Sequence, residues 1–207
     1  MRCASSFAFV LRALSIGALL VGPPSGCSSC GSSSSRSSSG HTTAPDPETP
    51  VYMAGGVGWE AEEPLVYEQP DNDMRAAQYT VRGHDDAVLT VSSFEPHVGG
   101  GGDVQENLDR WLGQMEAPGG MSSREAANIT TMTRNDLSIT RVDLRGTFVG
   151  RRGMSDDMEA HPGWRLLGAI VEGGPEGLVF FKMTGPDDGV TAAEEAFDHM
   201  LDSVHPE

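Results

Sequence analysis

Residues Glu95 to Trp111 read EPHVGGGGDVQENLDRW, placing Gly99, Gly100, Gly101 and Gly102 directly before the start of a helical pattern. Glycine loops that feed helix N-termini hold anions, because free backbone N–H groups and the helix dipole converge there. Here Asp103 stands at the entrance. A carboxylate at the N-cap satisfies those N–H groups itself and repels a phosphate. No Lys-Ser/Thr pair follows, and no Gly-x-Gly-x-x-Gly runs on into a βαβ unit. The stretch therefore reads as a mobile connection into a capped helix, with His97 at its mouth. His97, Gly99, Gly100, Gly101, Gly102 and Asp103 form the candidate contact surface.

The remaining reactive residues offer little catalytic chemistry. The chain has no Gly-x-Ser-x-Gly, no His-Glu-x-x-His and no cysteine beside a histidine, so no catalytic residue is assigned and no enzymatic activity is expected. His84, His97, His161, His199 and His205 are scattered without an i, i+4 pair, so no metal site and no cofactor are assigned. Asp71-Asn72-Asp73, Asp156-Asp157 with Glu159, and Asp187-Asp188 are acidic loops whose oxygens suit a hard cation such as calcium. None matches an EF-hand, and solvated charge is the simpler reading, with Asp187 or Asp188 capping the last helix. Arg110 is expected to pair with Glu106 one turn earlier. Lys182 lies inside an apolar run, and either points outward beside a buried Phe181, the favoured placement, or supports a buried carboxylate.

The elements that position these residues follow from periodicity. Met74 to Val81 and Ala87 to Phe94 read as strands joined by a turn at residues 83–86; the second has no purely polar face, as a central strand requires. Trp59 to Gln69, with two prolines, is expected to be an edge strand or extended arm. Val104, Leu108, Trp111, Leu112 and Met115 make one helical stripe, Asp103 and Glu106 form a capping box, and residues 118–120 end the helix. Ala127 to Thr133 and Leu137 to Val149 are strands joined at Asn135-Asp136, with a bulge expected near Arg141 where the apolar alternation slips. Trp164 to Val171 and Gly177 to Met183 make a second hairpin. Val190 to Val204 is a helix with Ala193, Phe197, Met200, Leu201 and Val204 on one face. The fold class expected is α+β: a mostly antiparallel twisted sheet of about six strands flanked by two main amphipathic helices.

The first fifty residues do different work. Met1 and Arg2, then Arg12 and an uncharged run from Ala13 to Val21, have the basic and apolar regions of a secretory signal and are too short to span a bilayer. Pro24-Ser25-Gly26-Cys27 resembles a bacterial lipobox, although Pro24 stands where leucine is usual. The resemblance implies cleavage before Cys27, so that residues 1–26 are a lipoprotein signal peptide and Cys27 carries the lipid. Cleavage at an ordinary signal site nearby, leaving Cys27 and Cys30 as thiols, is the alternative. Multiple acyl chains at about 0.8 kcal/mol per buried methylene make a stable anchor. Ser28 to Pro50 is Ser-, Gly- and Pro-rich and too apolar-poor to fold, so residues 27–50 read as a lipidated, disordered leash reaching roughly 25–30 Å. Residues 51–207 form a single domain by length.

Charge narrows the partners. Losing the leader takes two of the 14 basic residues and none of the 30 acidic ones, leaving a net charge of −18. Nucleic acid is therefore excluded as a partner, because it demands clustered Lys and Arg. A monomer is the default.

Three islands carry a wider resemblance: Trp59 followed by Met74-Arg75-Ala76-Ala77-Gln78-Tyr79, then Asn107 through Met115, then Phe180-Phe181-Lys182-Met183-Thr184-Gly185-Pro186 leading to Phe197 and Leu201. In this order they are similar to a family of uncharacterised bacterial lipoproteins and secreted proteins. The strand-rich middle and closing helix also resemble the PsbP-like fold, named for an extrinsic photosystem II subunit. The resemblances imply an antiparallel sheet with flanking helices and a lipid-anchored protein of the bacterial envelope; Ser28 after the cysteine is the type associated with outer-membrane sorting. They imply no activity. The function expected is a non-enzymatic, membrane-anchored module that binds an envelope protein or assists an assembly; binding of a small ligand or metal ion is the alternative.

Overall fold

The computed structural model describes residues 51–70, 72–94, 102–150 and 159–207, all within a unit spanning residues 43–207. The signal segment, Cys27 and the leash lie outside the described residues, as do His97, Gly99, Gly100 and Gly101. In chain order the elements are β1 (Val51–Ala54), β2 (Val57–Glu60), β3 (Leu65–Glu68), β4 (Ala77–Val81), β5 (His84–Phe94), α1 (Val104–Leu112), β6 (Met115–Glu116), α2 (Ser123–Ala126), β7 (Asn128–Arg134), β8 (Leu137–Phe148), β9 (His161–Gly174), β10 (Gly177–Pro186), α3 (Asp187–Ala192), α4 (Glu194–Ser203) and β11 (His205–Pro206).

Eight strands form one sheet in the order β3-β4-β5-β10-β9-β8-β6, with β7 also paired to β8; β1, β2 and β11 form a small second sheet. Every pairing is antiparallel. The class is therefore α+β as expected, but the large sheet has eight strands rather than six, and the helices are minor. The two additional strands of the large sheet are β3 and β6, which run four and two residues and are too short to show an alternation. The arm expected over Trp59 to Gln69 is two strands, interrupted at Pro64: β2 in the small sheet and β3 at an edge of the large one.

The central strands are buried on both faces, which is why their sequences look continuously apolar. Along β9 and β10, Leu167, Ala169, Val171, Val179, Phe181 and Met183 join one core, while Leu166, Ile170 and Phe180 join another. The first core is closed by the small sheet and by α3 and α4, through Trp59, Val190, Phe197, Met200 and Leu201. The second is closed by α1, through Leu108, Trp111 and Leu112. Gly168 makes room for this helix: a Cβ there would lie 2.7 Å from the Trp111 ring.

Three further sequence expectations are corrected. The helix expected to run to residues 118–120 ends at Leu112 with Gly113 as its C-cap, and Met115 lies in β6 rather than on the helical stripe. No bulge occurs near Arg141; the register of β8 with β7 is unbroken from Leu137 to Asp143 and that with β9 from Ser138 to Gly146, and the irregularity falls between Gly146 and Thr147. What slips is the chemistry of a face. Leu137, Ile139, Arg141 and Asp143 share one side of β8, which changes from apolar to ionic partway along, while Val142 and Leu144 carry the apolar residues on the other side. The last helix is also broken at Ala193 (φ −103°, ψ 1°) into α3 and α4. The break lets α3 press Gly189 against Ala87 and His84 of the sheet while α4 lies across β2. The hairpin at Asn135-Asp136 forms as expected, with both residues at positive φ (48° and 67°), the conformation that two-residue turns favour.

Candidate functional site

The N-terminus of α1 is built as its sequence requires. Asp103 accepts from the Glu106 N–H at 2.8 Å, and Glu106 accepts from the Asp103 N–H at 3.1 Å, completing the capping box. Asn107 adds a bond from its side-chain amide to the Asp103 carbonyl at 2.7 Å. Two carboxylates thus occupy the place an anion would need. Glu106 is spent on the cap, so Arg110 donates to Asn107 instead of forming the expected pair. Of the candidate contact surface only Gly102 (φ 62°) and Asp103 are described, and both serve this helix entry.

A feature the sequence reading missed lies between β8, β9 and the last two helices. Arg165 is 1% exposed in the middle of β9. It holds Asp143 bidentately, with Nε and Nη2 donating at 2.8 and 2.7 Å. Its Nη1 donates to Thr191 at 3.1 Å and to Glu194 at 2.9 Å. Burial by itself pulls the guanidinium pKa down, and the bonds it donates to Asp143 and Glu194 more than reverse this, so the charge is secure. Glu194 is held below its ordinary value chiefly by the Arg165 bond, with Arg141 adding to it. Arg141 bridges Glu194 and Asp198, at 3.0 Å each, and Arg145 reaches Asp187 at 2.9 Å. Asp187 is thus an ion-pair partner rather than a helix cap. The signal available was one arginine inside the apolar run WRLLGAIV, where an unpaired charge cannot be buried.

On its other flank, α4 lies beside β7. Met132, Arg134, Arg141, Asp198, Leu201 and Asp202 line a groove of about 390 Å³ between them. Arg134 donates to Asp202 at 2.6 Å, with the two side chains 42% and 56% exposed. β7 itself pairs only with β8 among the described residues, and most of its side chains are exposed. Its seven residues contain no Pro, Gly or Lys.

A second hollow, of about 360 Å³, lies where β6 pairs with the end of β8 beside β9, lined by Pro118, Arg145, Gly146, Thr147, Trp164 and Asp187 among others. Trp164 stacks with His161 (4.5 Å) and Phe148 (5.4 Å). Lys182 lies partly buried under α1, donating to Gln114 with its ammonium 6.0 Å from the Phe148 centroid, rather than pointing outward.

The candidate cation ligands do not converge: among the described residues no group of three or more His, Cys, Asp or Glu is placed to hold a metal ion. Asp71, Asp156 and Asp157 lie outside the described residues. His84 stands 3.9 Å from Asp188, His199 bonds Glu62, and His205 bonds the Ser203 carbonyl and Glu207. No described helix is long and apolar enough to cross a membrane.

No protein-family model matches the sequence, and no curated protein matches it. Among solved structures, the chain is similar to that of a cyanobacterial PsbP (CyanoP) from Synechocystis sp. PCC 6803, at 12% identity and a TM-score of 0.48; the match covers 76% of this chain and 92% of that one. It is also similar to a crystal structure from Bacteroides thetaiotaomicron, at 9% identity and a TM-score of 0.41, covering 75% of this chain and 47% of that one. The first bears the fold name that the sequence suggested. At such identities no residue role or activity passes from either to this chain.

Proposed function

We propose that the protein is a non-enzymatic binding module of the bacterial cell envelope, tethered by a lipid on Cys27 to the outer membrane, which engages an envelope protein or assists an assembly. The observation that carries this reading is β7, a seven-residue strand without proline, glycine or lysine that pairs, among the described residues, only with β8. Such an edge offers alternate backbone N–H and C=O groups to an incoming strand, a recurrent mode of protein recognition. The leash would let this edge search a shell of roughly 25–30 Å above the membrane.

Two experiments test the reading. Cys27→Ser should move the protein from the membrane to the soluble fraction and remove the lipid mass; unchanged partition and mass would end the lipoprotein assignment. A photocrosslinker placed at Thr131 in cells should trap one defined partner that the same group at Arg82 does not trap. Equal trapping from both positions would end the edge-docking reading.

A second reading is favoured by the hollow beside Trp164: binding of a small planar ligand against that ring. Thermal shift of the full chain with benzamidine, benzoate and calcium checks it, and a Trp164→Ala variant should abolish any genuine shift.

A further inference from the structure

The partner that fits β7 is defined by what surrounds the edge. Resting on the reading of β7 as a docking strand, we propose that its occupant is an extended, basic segment of another protein, added as an antiparallel strand with alternate Lys or Arg side chains over the groove toward α4.

The alternatives for strand addition are poor on the same molecule. β3, at the opposite edge of the large sheet, has four residues, lies between Pro64 and Pro70, and ends on Glu68. β6 and β11 have two residues each. β7 is longer, and its register with β8 is continuous from Asn128 to Arg134. At about 3.3 Å per residue it presents an edge of roughly 20 Å. Thr130, Thr131, Thr133 and Ile129 give it β-branched residues that stay extended without a partner.

Charge then selects the occupant. Thr130, Met132 and Arg134 face the same side of the sheet as Ile139 and Arg141, toward α4. An added strand would project every second side chain over that side, along the row Asp198 and Asp202, which are 49% and 56% exposed. Asp202 and its partner Arg134 both stand largely in water, Asp198 keeps about half of its side chain exposed beside the buried Arg141, and Glu195 on the same helix is exposed as well, so the acids of this helix outnumber the cations facing solvent beside them. The whole chain carries a formal charge of −16, so a basic segment is steered in and an acidic one repelled. The same charge opposes a second copy, which would bring an identical acidic helix to the same edge.

The test uses the isotopically labelled full chain and three capped heptapeptides: Lys-Val-Lys-Val-Lys-Val-Lys, its Glu-for-Lys counterpart, and the lysine peptide with a central proline. The lysine peptide should shift and protect the backbone amides of Asn128 to Arg134, bind at least ten-fold more tightly than the glutamate peptide, and weaken as salt rises; the proline peptide should not bind. Asp202→Asn, at the exposed pair, should reduce the ten-fold preference while leaving the fold intact by circular dichroism. Equal binding of the lysine and glutamate peptides, or shifts confined to other strands, overturns the proposal. Concentration-dependent shifts at β7 without peptide assign the edge to a second copy instead. If the Thr131 crosslink to an envelope partner persists while no peptide binds β7, the chemistry assigned to the occupant fails and the docking reading stands; if the crosslink is lost as well, both fail.

Discussion

Helix α4 has two flanks, and they use charge in opposite ways. Toward β8 and β9, Glu194 meets Arg165 and Arg141, side chains only 1% and 11% exposed. Toward β7, Asp202 meets Arg134 with both partners largely in water. The pairs look alike as geometry: Arg165 to Glu194 is 2.8 Å and Arg134 to Asp202 is 2.6 Å. Solvent separates them. A buried guanidinium without its carboxylates cannot be rehydrated in place, so its pairing is enforced, whereas an exposed pair exchanges freely with water and gains little. The first flank is therefore structural, and the second contributes little to stability.

The largest effect expected is at the buried flank. Arg165→Ala leaves Asp143 and Glu194 facing each other without their cation and opens a void in β9, and should cost about 3–5 kcal/mol in denaturant unfolding. A loss below about 1 kcal/mol would erase the contrast between the flanks. Arg165→Met, which fills the space but keeps the acids, should recover packing and still be destabilised, separating volume from charge.

Next is Glu194→Gln, expected to cost about 2 kcal/mol near neutral pH through the lost charge-assisted bonds. The pH dependence has a definite sign. The Glu194 pKa is lowered in the folded protein from 4.5, so its stabilisation is fully present above the ordinary glutamate range and is lost as pH falls through the depressed folded value. Glu194→Gln should flatten this part of the acid limb in urea melts at stepped pH. An unchanged acid limb would assign the acid sensitivity to other carboxylates.

Asp103→Ala, which removes the cap of α1 away from both flanks, is expected to cost about 1 kcal/mol and serves as a yardstick between them. The smallest effect is Arg134→Ala, expected within about 1 kcal/mol of the unmodified chain, and smaller still in high salt. A cost above the yardstick would show that the β7 flank is structural after all.

How much of this was legible beforehand follows from range. Asp103, Glu106 and the stripe through Leu108, Trp111 and Leu112 are local, and the helix they specify forms with its cap in place. Asn135-Asp136 likewise fixed its hairpin, because two residues at positive φ are a local demand. The Arg165 network was hidden because its members are 22 to 29 residues from Arg165 in sequence, and only strand register together with the packing of α3 and α4 on the sheet brings them together. The same network explains the misread bulge: apolar alternation ends on one face of β8 where arginine and aspartate take over, and the pattern cannot tell a change of chemistry from a change of register. β7 read correctly as a strand, but its standing as an edge depends on what lies beyond it, which no pattern within Asn128 to Arg134 encodes.

The openness of that edge is most directly measured by amide hydrogen exchange across Asn128 to Arg134 in the full chain without a partner. An open edge predicts an alternating pattern: amides bonded to β8 exchange slowly, and the intervening ones, pointing outward, exchange at nearly unfolded rates. Uniform slow exchange along all seven residues would mean that the edge is already covered, and would contradict its assignment as the contact surface.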